Sequence, residues 1–289
     1  MSKLLITVGE ISKKIGEELK KYIPKMVCID DHLSFPKSLQ QAEENAVALD
    51  FETLFNKPET YKTIIFVLDG GENVTGCSLA ILEYFKNQNI QILYIKPDLS
   101  YADDAIKYNH EIVSQVLQEK TRSGTFERFY FLDMVNIDEY ISKMDNVSIA
   151  NYYNKVAEFV SQIFYNILWI SSEKPIFGKI KESKEINRIS TIGIIDISGN
   201  NVFPFYKMEV VREVEYYILL GKEEINRNSS LLKEIRNNIT KLTSNQGLSS
   251  DETSTSYGIY ETDYSHSQYY CRLNTNLVQE SQYLTENKK

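Results

Sequence analysis

Short apolar runs alternate with amphipathic stretches along the first half of the chain. Apolar residues at i, i+4 and i+8 spacing, as at Ile11, Ile15 and Leu19, predict a helix, and β-branched runs predict buried strands. The predicted strands are 3–8, 25–29, 63–68, 90–95 and 127–132. The predicted helices are 10–22, 40–48, 78–87, 101–120 and 138–144. This alternation, with strands that are apolar on both faces, predicts a mostly parallel, doubly covered sheet over residues 1–145.

The pattern changes in the second half of the chain. Residues 146–170 are apolar around much of a helical circumference, which predicts a long helix buried between two layers. The polar stretch 171–184, which contains Pro175 and Gly178, predicts a linker loop. Residues 185–278 predict a smaller α+β domain, followed by a flexible tail at 279–289. Within that domain we expect strands at 187–198 and 208–221, a helix at 229–242, a flexible loop at 243–256 and a strand pair formed by 254–263 and 268–276.

Composition narrows the class of protein. The chain has 289 residues and a formal net charge of −8, so a direct nucleic-acid or anionic-membrane partner is not expected. No apolar run approaches the roughly 20 residues of a membrane span, and the first residues do not resemble a signal peptide. The three cysteines, Cys28, Cys77 and Cys271, are too far apart to suggest a disulfide framework or a zinc site. We therefore expect a cytoplasmic protein without a structural metal.

The stretch 69–76, DGGENVTG, carries the main candidate chemistry. A strand, a glycine turn and a helix in that order are typical of a phosphate-binding loop, because glycines let backbone N–H groups approach phosphate oxygens. Glu72 stands where such a loop favours glycine. Its repulsion from an anion about 4 Å away is about 1 kcal/mol in water and about 4 kcal/mol at an effective dielectric constant near 20. A Mg²⁺ ion would reverse that sign, so the loop is either a remnant or a cradle for weak or altered nucleotide binding.

Several segments, in the same order, resemble those of the tubulin/FtsZ superfamily. GGENVTG (70–76) is similar to the family's GGGTGTG or GGGTGSG loop, NIDEYI (136–141) to its ribose-side loop, and IANYYNKVAEF (149–159) to the start of its core helix. The resemblance implies a Rossmann-like parallel sheet, a long core helix and an α+β C-terminal domain. It also implies a GTP–Mg²⁺ site at the following positions: Gly70, Gly71, Asn73, Thr75, Gly76, Asp138 and Asn154.

Two departures from the family pattern weaken the case for GTP hydrolysis. The first phosphate loop, glycine-rich in the family, would be VGEISKKIG (8–16) here, and the catalytic loop after the core helix has no counterpart in 171–185. No catalytic residue is therefore assigned and no cofactor is expected, with GTP and Mg²⁺ as the alternative. The primary hypothesis is a structural protein with decayed GTPase chemistry that self-assembles or docks into a larger assembly, such as a phage particle, in the host cytoplasm or virion. The alternatives are an active GTP-binding filament protein and, ranked last, an unrelated doubly wound enzyme.

Some candidate residues also have an ordinary structural interpretation. Asp30 and Asp31 follow a strand, where ribose-binding acids occur, but are also common turn residues. Asp138 suits a helix cap as well as it suits a ribose contact. Cys77 lies near a helix start and is expected to be a small buried side chain, and the three histidines lack metal-ligand spacing.

Overall fold

The computed structural model describes residues 2–33, 35–144, 148–196, 201–227, 230–245 and 253–279. The first residues of the predicted core helix, the middle of the predicted loop at 243–256 and the tail beyond Gln279 lie outside these residues. The chain divides into two compact units. Unit 1 comprises Met1–Tyr165 and the segment that starts at Val278, and unit 2 comprises Asn166–Leu277.

Unit 1 alternates strands with helices, as the hydrophobic pattern predicts. Its strands are β1 Lys3–Val8, β2 Met26–Cys28, β3 Thr63–Asp69, β4 Asn89–Lys96 and β5 Arg128–Asp133. Its helices are α1 Glu10–Leu19, α2 Leu39–Val47, α3 Phe51–Phe55, α4 Ser78–Tyr84, α5 Asp104–Arg122, α6 Met134–Met144 and α7 Tyr152–Ile170, and the boundary between the units falls within α7. Short 3-10 turns occur at Ile29–Asp31, Pro58–Thr60, Asn73–Cys77 and Ile149–Asn151.

The strands of unit 1 are all parallel, in the order β2-β1-β3-β4-β5. Their apolar side chains are almost completely buried, as at Leu5, Ile65 and Leu93, because helices cover both faces of the sheet. The strand order reverses at β1, which lies between β2 and β3. In open parallel sheets the carboxyl ends of the strands at such a reversal form the usual binding crevice.

Aromatic contacts pack the later part of α7 against other elements of unit 1. Tyr165 stacks on Tyr22, which follows α1, with ring centroids 3.7 Å apart. Phe164 packs edge-on against Tyr130, near the start of β5, at 5.2 Å.

Unit 2 is built on a mainly antiparallel sheet. Its strands are β6 Phe177–Lys179, β7 Ile189–Asp196, β8 Asn201–Pro204, β9 Glu213–Gly221, β10 Ser254–Thr262 and β11 Gln268–Thr275, and its helices are α8 Lys222–Arg227 and α9 Leu231–Asn245. Strand β7 pairs antiparallel with both β8 and β11, and β11 pairs antiparallel with β9. Strand β10 pairs parallel with β9 and antiparallel with β6. The parallel pair is possible because α9 returns the chain to the same end of the sheet.

A buried ion pair crosses the sheet of unit 2. A guanidinium nitrogen of Arg272 lies 2.5 Å from a carboxylate oxygen of Glu215, on the neighbouring strand. The other oxygen of Glu215 accepts hydrogen bonds from the Ser183 hydroxyl (2.7 Å) and the Asn274 side-chain amide (2.9 Å). Since Ser183 belongs to the stretch between β6 and β7, this network fastens that stretch to the sheet.

The predicted element types hold in most places, with three corrections. The segments predicted as a strand pair do not pair with each other, because β10 and β11 lie on opposite edges of β9. The predicted linker contains strand β6, whose partner is β10. Helix α6 begins at Met134, directly after β5, and not at Asp138.

The predicted tail is ordered at its first residue, Gln279. Its backbone N–H donates to the Gln118 side-chain oxygen at 2.8 Å, and its carbonyl accepts from the Gln118 side-chain nitrogen at 3.3 Å. Gln118 is fully buried on α5 and Gln279 is nearly so. The returning chain therefore completes the hydrogen bonding of a buried amide in unit 1.

Candidate functional site

The candidate loop lies at the carboxyl end of β3, beside the strand-order reversal. It borders a cavity of about 470 Å³ in unit 1, whose walls come from the segment after β2, the loop after β3 and the start of α5. The cavity lining includes Asp69, Glu72 and Asn73 from this loop. The sequence thus places its phosphate-loop candidate where a doubly wound sheet binds ligands.

The first three N–H groups around the start of α1 all point at carboxylates of the same unit. The Gly9 N–H donates to Asp30 Oδ2 at 2.9 Å, and the Glu10 N–H donates to Glu72 Oε1 at 2.8 Å. The Ile11 N–H lies near the carboxyl group of Asp69 and acts to lower the pKa of Asp69. Helix N-termini have unpaired N–H groups and a positive dipole end, which phosphates use as a binding site. Here three acidic side chains take that position.

Burial and mutual repulsion alter the protonation of this carboxyl cluster. Burial, followed by the charge of Glu72, raises the pKa of Asp69 to about 7. Burial also raises the pKa of Glu72, while its contacts with the Glu10 N–H and with Asp69 oppose that shift. Asp69 is thus the member of the cluster that takes up a proton as the pH falls through about 7. A neutral Asp69 lets three carboxyl groups lie together without full charge repulsion.

Packing alone explains three glycines of the loop. A Cβ atom on Gly76 would lie 2.0 Å from the carbonyl oxygen of Leu39, where α2 crosses the loop. A Cβ atom on Gly70 would lie 2.1 Å from the hydroxyl of Tyr94, and one on Gly71 would lie 2.8 Å from a methyl carbon of Ile106. None of the three has a positive φ angle. Close approach of neighbouring elements therefore requires glycine at each position, whether or not a phosphate binds.

The polar side chains of the loop have partners within unit 1. The Asn73 side chain accepts a hydrogen bond from Asn109 of α5 at 2.8 Å and donates to the Pro36 carbonyl at 3.3 Å. The Thr75 hydroxyl is buried and donates to the Glu72 carbonyl at 2.7 Å. These bonds fix the 3-10 turn Asn73–Cys77 between α2 and α5. Asn109 was not singled out from the sequence, because no motif marks a helix residue that reaches back to a loop.

Asp138 and Asn154 lie on helices α6 and α7 and not in the loop. Asp138 lies inside α6, so it is not the helix cap that the sequence suggested. Burial and the charges of Asp98 and Asp133 raise its pKa to about 6. Asn154 is exposed on the first turn of α7. Neither residue lines the cavity beside Glu72.

The remaining candidates have structural roles. Asp31 forms an ion pair with Lys13 at 2.7 Å, whereas Asp30 faces the Gly9 N–H, so the two neighbours differ in function. Cys77 is fully buried, as expected, and burial raises its pKa well above the usual thiol range. His110 is buried, and burial together with the nearby charge of Lys96 lowers its pKa to about 3.

Two further absences apply to the part of the chain that the structure describes. There, no group of three or more His, Cys, Asp or Glu side chains is arranged to hold a metal ion. No described helix has the length and the apolar character needed to cross a membrane.

Comparisons of the chain with known proteins find matches by structure but not by sequence. No protein-family model and no curated protein sequence matches it. It superposes on a GTPγS-form protofilament of TubZ from Bacillus thuringiensis serovar israelensis with a TM-score of 0.68 and 13% identity, covering 100% of this chain and 90% of that one. For the GDP-bound CetZ1 monomer from Haloferax volcanii the TM-score is 0.68, the identity 12% and the coverage 100% of both chains. The chain is thus a divergent example of the tubulin/FtsZ-like fold.

Proposed function

We propose that this chain is a tubulin/FtsZ-like structural protein that has lost nucleotide chemistry and acts by self-assembly or by docking into a larger assembly. The observation that carries the loss of nucleotide binding is the position of Asp30, Asp69 and Glu72 on the N–H groups that begin α1. A bound phosphate would have to displace the hydrogen-bonded carboxyl groups of Asp30 and Glu72. It would also lie beside their negative charge.

Self-assembly is supported by the filaments that the structurally similar proteins form. The TubZ matches include protofilaments and a two-stranded helical filament, the latter with a TM-score of 0.67 at 12% identity. A phage particle in the host cytoplasm or a virion is one larger assembly that such a protein could join. The charge of −8 and the acidic cavity favour a protein partner over nucleic acid.

The alternative is a GTP-binding cytomotive filament protein. It is favoured by the loop's place after β3 and by neighbours solved with GTPγS or GDP. In that case a Mg²⁺ ion would offset the charge of Glu72. Asp138 and Asn154 would then be required for nucleotide binding, whereas the primary proposal gives them no such role.

Calorimetry with GTP and Mg²⁺, on protein freed of bound nucleotide, separates the two proposals. We expect that the folded wild-type chain does not bind GTP. Its assembly, followed by light scattering, should be the same with and without GTP. The variants Asp138→Asn and Asn154→Ala should assemble like the wild type. Micromolar binding of GTP that is lost in both variants would establish the alternative instead.

A further inference from the structure

Unit 1 contains a second cavity, the apolar cavity, next to the acidic one. It has a volume of about 540 Å³, and its walls come from α2, the 3-10 turn Asn73–Cys77, α4 and α5. All of its lining residues belong to unit 1. Most of the lining is apolar, and six aliphatic side chains take part: Leu39, Leu79, Ile112, Val113, Val116 and Leu117.

The two cavities share part of a wall but differ in charge. Asn73 and Asn109 line both, and a hydrogen bond of 2.8 Å joins their side chains. Among the described residues that line the apolar cavity, the charged side chains are Lys37 and Glu43, and both are exposed. These opposite charges are solvated and cancel each other. The lining therefore favours neither a cation nor an anion.

The buried polar side chains of the apolar cavity are already hydrogen-bonded within the protein. The Thr75 hydroxyl donates to a loop carbonyl, as described above, and the Ser78 hydroxyl donates to the Thr75 carbonyl at 2.6 Å. The side-chain nitrogen of Asn109 donates to the Asn73 side chain at 2.8 Å and to the Gly71 carbonyl at 3.2 Å. Water in the cavity would find no free side-chain donor among these groups, so it would be held weakly.

Two large side chains of α5 leave apolar surface in solvent at this cavity. Tyr108 is 61% exposed and Ile112 is 36% exposed, and both line the cavity. Since they are four residues apart on one helix, they lie on the same face. A molecule that entered the cavity would cover surface that the folded chain alone leaves open to water.

We propose that the apolar cavity binds a small, uncharged and mainly apolar molecule. Its volume falls within the range of about 300–1,000 Å³ that is typical of small-molecule sites, and its lining is of the same character. The ligand would pack against the aliphatic walls, cover Tyr108 and Ile112, and displace water that has few partners. This site goes beyond the proposed function, because it requires neither a nucleotide nor a second copy of the chain.

Two cavity variants and two matched controls test the site. Val116→Trp places a large ring in the cavity, and Ile112→Asp places a charge at its edge. Gln115→Trp, one position away on α5, and Val135→Asp, on α6, make the same changes at exposed positions outside the lining. All four positions are at least partly exposed, so circular dichroism should show the wild-type fold in every variant.

Titration with the uncharged dye N-phenyl-naphthylamine, whose fluorescence rises in apolar surroundings, gives the first readout. We expect saturable binding to the wild type and to both controls. Binding to each cavity variant should be at least about tenfold weaker, because the ring occupies the volume and the carboxylate would lose its hydration. The dye should also raise the melting temperature of the wild type and of the controls, but not that of the cavity variants.

A further variant, Phe35→Ser, distinguishes the two cavities. Phe35 lines the acidic cavity but not the apolar one, and it is 99% exposed. We expect Phe35→Ser to bind the dye like the wild type. A loss of binding in this variant would assign the dye to the acidic cavity and overturn the proposed site.

Three other results would also overturn the proposal. One is a wild type without saturable dye binding, and another is cavity variants that bind the dye as tightly as their controls do. The third is dye binding that disappears as the wild type associates, with sedimentation velocity run on the same samples. In that case a second copy of the chain, and not a small molecule, covers the cavity.

Discussion

The carboxylate of Glu72 accepts a hydrogen bond from the backbone N–H of Glu10 at 2.8 Å, across 62 residues of sequence. This contact joins the loop after β3 to the start of α1. In a phosphate-binding protein the same N–H would be available to the ligand. The chain therefore supplies its own anion at the position that a nucleotide would need.

The first prediction concerns this contact. Glu72→Ala should lower the free energy of unfolding by about 1 kcal/mol, because it leaves the Glu10 N–H without its side-chain acceptor. Urea unfolding monitored by circular dichroism measures the change. Glu72→Gln, which keeps an acceptor oxygen, is the control and should lose less. Equal losses in the two variants would mean that the contact does not stabilise α1.

The second prediction concerns pH and Asp69. Its pKa is about 7 in the folded chain against 3.8 ordinarily, so the folded state holds an extra proton between these values. Stability should therefore fall as the pH rises from about 4 to about 7 and level off above that. Asp69→Asn keeps the shape of the neutral acid and should reduce this fall by on the order of 1–3 kcal/mol. Denaturant unfolding of wild type and variant at several pH values gives the free energy of unfolding of each as a function of pH. The same pH dependence in both proteins would contradict the raised pKa of Asp69.

The third prediction separates packing from phosphate binding at the loop glycines. Gly76→Ala should destabilise the protein by about 1–3 kcal/mol without any ligand, since its methyl group would overlap the Leu39 carbonyl. Gly124→Ala is a useful comparison, because its Cβ atom meets nothing within 4 Å and only its φ of +88° is unfavourable. Thermal unfolding of both variants gives the ranking. A Gly76→Ala protein as stable as wild type would reopen the case for a phosphate role.

The fourth prediction concerns the ion pair between Glu215 and Arg272 in unit 2. Arg272→Met removes the buried cation and leaves the carboxylate uncompensated, which should cost about 3–5 kcal/mol at neutral pH. The loss should shrink on acidification, because Glu215 can then take up a proton. Unfolding at acidic and neutral pH tests the sign. A loss that does not depend on pH would indicate a packing defect and not an unpaired charge.

Hydrophobic patterning was sufficient to predict the parallel sheet of unit 1, because its strands are buried on both faces and so read as continuous apolar runs. Patterning was less informative in unit 2. The alternation in 254–263 and 268–276 predicts two strands, but it carries no information about which strand lies between them, and β9 takes that place. Strand β6 is three residues long and mostly polar, so its pairing with β10 leaves no hydrophobic signal.

At the candidate site, too, the sequence predicted features of a single segment but not contacts between segments far apart along the chain. The position of the loop after β3 and the unusual Glu72 were both visible in the sequence. The partner of Glu72 was not, because a backbone N–H has no sequence signature and lies 62 residues away. Asp69 and Asp30 likewise end or follow strands at ordinary turn positions, and only the strand order β2-β1-β3 brings them to one helix start.

The bond between Gln118 and Gln279 has a consequence for biosynthesis. As the chain leaves the ribosome, α5 is complete more than 150 residues before its partner is translated, at a sequence separation of 161. Until then the Gln118 amide lacks the acceptor and donor that the native state provides, a deficit of about 1–3 kcal/mol for a buried polar group. Unit 1 can therefore reach its final stability only after unit 2 has been synthesised. Until that point, the part of unit 1 that is already translated lacks the hydrogen bonds between Gln118 and Gln279.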